Sequence, residues 1–281
     1  MLPSSSDLTY FLEIAHAGNL THAANRLGVS QPSLTLAMQR LEQSVGTDLF
    51  IRSRQGVKLT KAGDRLLLEA RKLMSQWEEL RQSTLESMNE IRGRFVIGAH
   101  PSVSRYSLPL FLPEILTEHQ QLEIELTHDL SRNITHKVLA MEVDIGIVVN
   151  PEPHPDLVMK SLCEDVVTLW KGKSLKNTKV LVCEPSLLQT QKIQSKLARA
   201  GFEFDRVIQS GNLEVIARLT DTGVGMGILP TRVAEAESKD LTPVKNAPVL
   251  KDIIQLIYRV ENRQVRAIQA LSQAIQEGFK S

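Results

Sequence analysis

Along residues 20–45 apolar side chains recur at helical intervals, and from residue 48 to 59 they alternate instead. Leu20, Ala23, Ala24 and Leu27 share one helical face, and Gly28 offers the left-handed residue that ends a helix. Ser30 suits an N-cap, and Pro32 sits in the first turn of the next helix, where its missing N–H is not needed. Leu34, Met38, Leu41 and Val45 give that helix its apolar stripe, leaving Gln31, Ser33, Thr35 and Gln39 on the other face. Asp48–Ser53 then reads as a strand, Arg54-Gln55-Gly56 as a turn and Val57–Leu59 as a second strand.

From Lys61 to about Ile91 there is no proline, and after Gly63 no glycine, so the pattern predicts one long helix. Leu66, Ala70, Leu73, Trp77, Leu80, Thr84 and Ile91 follow the spacing of a two-stranded coiled coil. Two readings stay open: packing on its own domain, or pairing with a second chain through Leu66, Leu73, Trp77 and Leu80. The length favours pairing, because such a helix projects beyond a domain of about sixty residues.

Beyond Ile91-Arg92-Gly93-Arg94 the style changes to strand–helix alternation. Strands are expected at Phe95–Ala99, Leu122–Thr127 and Asp144–Val149, with helices over Ser104–Gln120 (stepped at Pro109 and Pro113) and Ser131–Val143. A second block follows: strands at Val166–Trp170, Lys179–Cys183, Val207–Ser210 and Gly227–Leu229, helices at Ser186–Ala200 and Asn212–Asp221. Ile253–Tyr258 and Arg263–Phe279 supply a last strand and helix. Such alternation predicts a parallel sheet with right-handed crossovers.

Candidate chemistry lies at two places. The first is the face of Gln31, Pro32, Ser33, Thr35 and Gln39, with Arg52 and Arg54 on the hairpin after it. Two helices and a cationic wing form a device for laying one helix in a DNA major groove while the wing holds phosphate. The second is the carboxyl ends of the strands, where open α/β sheets bind ligands. This rule selects His100, Ser102, Val103 and Ser104 after the first strand, His128 and Leu130 after the second, and Val149 and Asn150 after the third. Gly211 and Thr222 face the same gap from the second block. Each has a plainer alternative: Ser102 as a helix cap, His100 and His128 as hydrogen-bonded rather than metal- or pH-sensing histidines, and Arg105 and Arg132 as surface residues rather than partners of an anion. Gly223, Gly225 and Gly227 resemble a phosphate loop but lack its strand-before, helix-after setting, so close backbone packing is expected.

Composition changes this picture little. The 281 residues allow a small domain plus a larger one, with 42% hydrophobic and 23% charged residues and a net charge of +1. The DNA reading therefore rests on placement, since residues 1–62 carry six basic and four acidic side chains, a mild local excess. No run is apolar enough for a membrane span and no basic-then-apolar leader opens the chain, so a cytoplasmic protein is expected. There is no HExxH, Walker loop, Ser–His–Asp cue or paired carboxylate at a strand end, so no enzyme, cofactor or metal is expected. A transport solute-binding protein would need an export signal and no DNA domain. Cys163 and Cys183, the two cysteines, read as unpaired core thiols.

One combination is specific. Leu8, Phe11, Ala15, Gly18, Ala23, Ala24, Leu27, Val29–Leu34, Arg40-Leu41-Glu42, Gly46, Leu49-Phe50, Arg52, Leu59-Thr60 and Ala62-Gly63 together resemble the LysR-type transcriptional regulators. The likeness runs from about Asp7 to the C-terminus. It implies an α+β multidomain chain: an α-rich winged helix-turn-helix (residues 1–60), a coiled-coil linker helix (61–91) and a two-lobed α/β effector domain like periplasmic solute-binding proteins (92–281). The lobes would be 92–162 with 251–281, and 163–250. The resemblance implies a sequence-specific regulator whose inducer sits between the lobes, with the position of Ser102 among its contacts. Expected partners are double-stranded DNA, a small-molecule inducer with carboxylates among the candidates, a homodimer or homotetramer, and RNA polymerase. A ligand-independent regulator and a redox-responsive one using Cys163 and Cys183 are the alternatives. Leu36 and Ala37 depart from the family, which commonly carries basic or polar residues there.

Overall fold

The computed structural model describes residues 4–53, 56–84 and 91–280. The chain divides into two compact units, residues 1–89 and 90–281.

In the first unit α1 spans Ser5–Ala17, α2 Leu20–Leu27 and α3 Gln31–Val45. Side-chain caps set their starts: Ser4 accepts from the Asp7 amide, Asn19 from Thr21 and His22, and Ser30 from Ser33. Such caps contribute about 1 kcal/mol each. Gly28 ends α2 at φ 66°, the left-handed turn that aims α3 away from α2. Leu34, Ala37, Met38 and Leu41 bury against Leu8, Phe11, Ile14, Ala23 and Ala24. One expectation fails here. Val45 is exposed, because α3 runs one turn past its last core residue, Leu41. Ala37, a departure from the family pattern, belongs to the core, and its small side chain lets α3 pack closely.

The hairpin pairs β1 (Phe50–Ser53) with β2 (Gly56–Leu59), Arg52 opposite Val57 and Ile51 opposite Lys58. Glu42 ties it to α3 by accepting from the Leu49 and Phe50 amides at 2.9 and 3.3 Å. The Val57 amide donates to the Gly18 carbonyl at 2.9 Å, and only a glycine at 56 (φ 126°) allows that approach. Then α4 runs over Lys61–Thr84. Its two ends do different things. Ala70 and, in part, Leu66 pack on the unit's own core, while Leu73, Trp77 and Leu80 are 52%, 59% and 57% exposed. Of the remaining expected seam, residues 85–90 lie outside the described residues.

The second unit is one mixed sheet flanked by helices. Its elements are β3 (Arg92–Ala99), α5 (Pro101–Ser107), α6 (Leu112–Glu118), β4 (Gln121–His128), α7 (Ser131–Leu139), β5 (Ile145–Val149), β6 (Leu157–Lys171), β7 (Val180–Cys183), α8 (Leu188–Arg199), β8 (Arg206–Gln209), α9 (Leu213–Asp221), β9 (Met226–Pro230), α10 (Thr231–Glu237), β10 (Thr242–Pro243), β11 (Leu250–Arg259) and α11 (Arg266–Gly278). The strand order is β4-β3-β5-β11-β6-β9-β7-β8, with β10 beside β6.

Two long antiparallel strands hold this sheet together. The first part of β6 pairs β11, and its end, Val167–Trp170, pairs β9. Strands β6 and β11 thus cross between the lobes, and the five-residue strand expected at Val166–Trp170 is the end of a fifteen-residue one. The expected helix Ser104–Gln120 is broken into α5, a 3-10 turn at Leu108–Leu110 and α6, because Pro109 and Pro113 each remove a donor from the helical ladder. Helix α10 and strand β10 were not expected. Gly98 and Gly146 lie side by side on β3 and β5, where Ile134 of α7 fills the space a Cβ would need. Gly223, Gly225 and Gly227 are likewise occupied by close packing, against Ser174, Val180 and Thr220.

Candidate functional site

The first candidate surface is the N-terminal half of α3. Gln31, Pro32, Ser33 and Gln39 are exposed on it and Thr35 is half-buried. Their neighbours hold them. Thr21 Oγ1 donates to Gln31 Oε1 at 3.3 Å, and the Ser30 and Ser33 hydroxyls lie 2.7 Å apart. Leu36, also exposed, puts an apolar side chain on the same surface. Arg40 is committed elsewhere, since its Nη2 donates to Asp7 Oδ1 at 2.7 Å and so fixes α3 against the first turn of α1. Arg52 lies on β1 and Lys58 is exposed on β2. Arg54 lies outside the described residues. The surface presents amide and hydroxyl groups on a helix, with the cationic Lys58 exposed on the hairpin that follows it, the chemistry that reads base edges and holds phosphate.

The second candidate is a cleft between the lobes, at the ends of β3 and β5 and over inner positions of β6 and β11. His100, Ser102, Val103 and Tyr106 line it from the β3–α5 segment, Ser131 from α7 and Val149 from β5. Leu187, Gln189, Leu213, Pro230 and Val233 close it from the other lobe, and Asp165, Asp252 and Ile254 form its base on β6 and β11. About 40 Å³ stays open inside, room for a few water molecules at most. Contacts between the lobes hold it shut: Arg105 Nη1 to Glu237 Oε2 at 3.2 Å, Arg132 Nη1 to the Ser186 carbonyl at 3.2 Å, and the Arg232 guanidinium 5.5 Å from the Tyr106 ring centre.

Electrostatics in the cleft are dominated by burial. His100 caps α5 by accepting from the Ser102 amide at Nδ1, so its neutral ring carries the proton on Nε2. Burial pushes its pKa down, against the pull of Glu184, whose Oε2 is 3.9 Å from Nε2. Burial pushes Asp165 and Asp252 up, and for Asp252 the charge of Asp165 adds to this. Tyr106 is raised by the same cause.

Of the ten positions expected to meet a ligand, His100, Ser102, Val103 and Val149 line this cleft. Ser104 is buried and bonds His128 Nδ1 at 3.2 Å, while His128 itself is exposed at the end of β4. Asn150 (φ 46°) donates to Asp252 Oδ1 at 2.8 Å and holds the carboxylate from behind. Leu130 precedes α7 and Gly211 is exposed before α9, neither of them in the lining. Thr222 is at the far end of α9 from the lining residue Leu213, its hydroxyl donating to the Arg218 and Leu219 carbonyls. Asp165 and Asp252 were missed. No local signal marked them, because both strands carry other charged residues, Lys160, Glu164 and Lys171 on β6 and Lys251 and Arg259 on β11. Among the described residues no group of His, Cys, Asp and Glu could hold a metal ion. Burial raises both Cys163 and Cys183, which disfavours their thiolates.

A winged helix-turn-helix joined to a two-lobed domain with a closed cleft between its lobes is the organisation of a ligand-responsive DNA-binding regulator. Residues 5–64 match the family model of the bacterial regulatory helix-turn-helix protein, lysR family, and residues 88–280 that of the LysR substrate binding domain. The chain belongs to the LysR family of transcriptional regulators. A relative is the HTH-type transcriptional regulator YofA of Bacillus velezensis, 27% identical over 80% of each chain. The fold is shared with full-length LysG from Corynebacterium glutamicum with bound effector Arg (TM-score 0.69, 16% identity, covering 99% of this chain and 98% of that one). It is also shared with full-length CbnR complexed with its target DNA (TM-score 0.61, 23% identity, 98% and 99% covered). Among the described residues no helix is long and apolar enough to cross a membrane.

Proposed function

We propose that this regulator acts in the cytoplasm as a homodimer, paired through Leu73, Trp77 and Leu80, and that it reads DNA with Gln31, Ser33, Thr35 and Gln39 while Arg52 and Arg54 hold flanking phosphate. An inducer seats in the cleft beside His100 and Ser102 and favours one spacing of the lobes. The observation that carries this reading is the exposed amide-and-hydroxyl surface at the start of α3, on a helix whose opposite face is fully buried. The CbnR complex supports the DNA part, and effector-bound LysG the cleft part. A ligand moves the lobes only by its differential affinity for the two arrangements, and the cross-lobe contacts of Arg105 and Arg132 are what it must compete with.

Fluorescence-anisotropy titration of the full chain against its operator and against unrelated duplex tests it. Gln31→Ala should cost about 1–3 kcal/mol on the operator and alter the preference among operator variants. Arg52→Ala should weaken binding to every sequence alike and lower the salt slope by about 1. Unchanged binding by both variants would contradict the assignment.

A further inference from the structure

We propose that the effector is a small organic cation, a primary ammonium or guanidinium on an apolar body, seated over Asp165 and Asp252; this rests on the reading of the inter-lobe cleft as the effector site. The two aspartates stand directly opposite each other on β6 and β11, and therefore on one face of the sheet. They are 7% and 3% exposed and both line the cleft. Like charges so placed destabilise a strand pair. Their hydrogen bonds come from uncharged donors: Asn150 Nδ2 at 2.8 Å and Gln189 Nε2 at 3.1 Å to Asp252, and the backbone amides of Val166 at 2.7 Å and Arg232 at 3.4 Å to Asp165 Oδ1.

Among the described residues no lysine or arginine lines the cleft. Arg232 and Lys192 act on the pair from outside the lining, the first committed to the Tyr106 ring. The histidine that does line it, His100, has its pKa pushed down by burial, which disfavours its charged form. Two buried polar atoms have no partner: the Ser102 hydroxyl, which lines the cleft and can accept or donate, and the acceptor Glu184 Oε2 behind His100. An anion entering here would meet carboxylates on the base and no charged donor. A primary ammonium brings three donors, one for each aspartate and one for Ser102 Oγ. The rest of the wall, with Val103, Val149, Leu187, Leu213, Val233 and Ile254, suits an apolar body. The carboxylate effectors expected from the sequence are thus disfavoured by the charge of the site.

The test uses the full chain and probes matched in carbon skeleton at constant ionic strength. They are n-butylammonium, butanoate and 1-butanol; 2-phenylethylammonium, phenylacetate and 2-phenylethanol; and n-butylguanidinium for the guanidinium. Thermal unfolding against concentration reads each affinity. The cations should raise the transition saturably and the other members should not. Asp165→Asn and Asp252→Asn should each weaken the cation effect about 30-fold or more, while Glu164→Gln, on an exposed neighbouring carboxylate, should leave it unchanged. Cation binding that survives both asparagine variants would overturn the proposal. Carboxylate or alcohol binding that Val103→Trp abolishes would overturn it while leaving the cleft as the effector site. If no probe of any charge moves the transition, the proposal and the cleft reading fall together.

Discussion

Among the described residues the DNA-reading unit buries one polar side chain, that of Asp7, and the effector unit buries thirteen. The first unit is an apolar core wrapped by caps, with its candidate DNA-reading groups on the outside of α3. The second keeps its candidate ligand-binding groups inside, where His100, Ser102, Asp165 and Asp252 face a shared cleft and Glu184 stands behind His100. A surface that meets a polyanion must stay wet and can be assembled from neighbouring residues. A pocket that selects a small molecule must remove polar groups from water, which costs stability unless each finds a partner. Uncompensated groups in such a pocket point to what is meant to arrive.

The comparison can be broken most forcefully from the core of the first unit. Leu34→Ala leaves a cavity among Phe11, Ala23 and Leu41 and should cost about 2–5 kcal/mol in chemical denaturation. Only the transition of residues 1–89 should move. A parallel shift of the effector unit would show that the two are not independently built.

Next in size is the pairing surface. Trp77→Glu should reduce the mass in light scattering to that of one 31.4 kDa chain. DNA affinity should fall by about a hundredfold or more, because two half-sites no longer bind as one. An unchanged mass would place dimerisation elsewhere.

The smallest effect sharpens the contrast in buried polarity. Asp144, whose Oδ2 accepts from the Val96 amide at 2.7 Å, has its pKa pushed up to about 6 by burial. A carboxyl raised in the folded state contributes stability that is present below its ordinary pKa of 3.8 and lost as pH rises through about 6. Asp144→Asn should therefore become more stable relative to the parent between pH 4 and pH 7, by about 1–3 kcal/mol. A difference that stays flat with pH would contradict the burial of that charge.

Legibility in the sequence follows the same division. Caps, turns and the apolar stripe of α3 are set within a few residues of each other, so Ser30, Gly28 and Leu34 could be read locally. Val45 was misassigned because the last helical turn of a stripe is decided by what packs against it. In the effector unit the strand–helix alternation was visible, and so were the strand ends that carry His100, Ser102 and Val149. The facing of Asp165 and Asp252 depends on the register of two strands more than eighty residues apart, with a shift at Ile254/Gln255, and no local pattern encodes it. Thr222 illustrates the converse, since a loop beside a strand end in sequence can sit at the far end of a helix in space.

In the proposed function α3 is the element that meets the duplex, twice, in a twofold pair. Hydroxyl-radical footprinting of the full chain on the DNA flanking its own gene tests this most directly. Two protected patches on one face of the duplex, centred about 10 base pairs or a multiple apart and both lost in Ser33→Glu, are the predicted result. Protection that persists in Ser33→Glu, or a single patch with no symmetry mate, would contradict it.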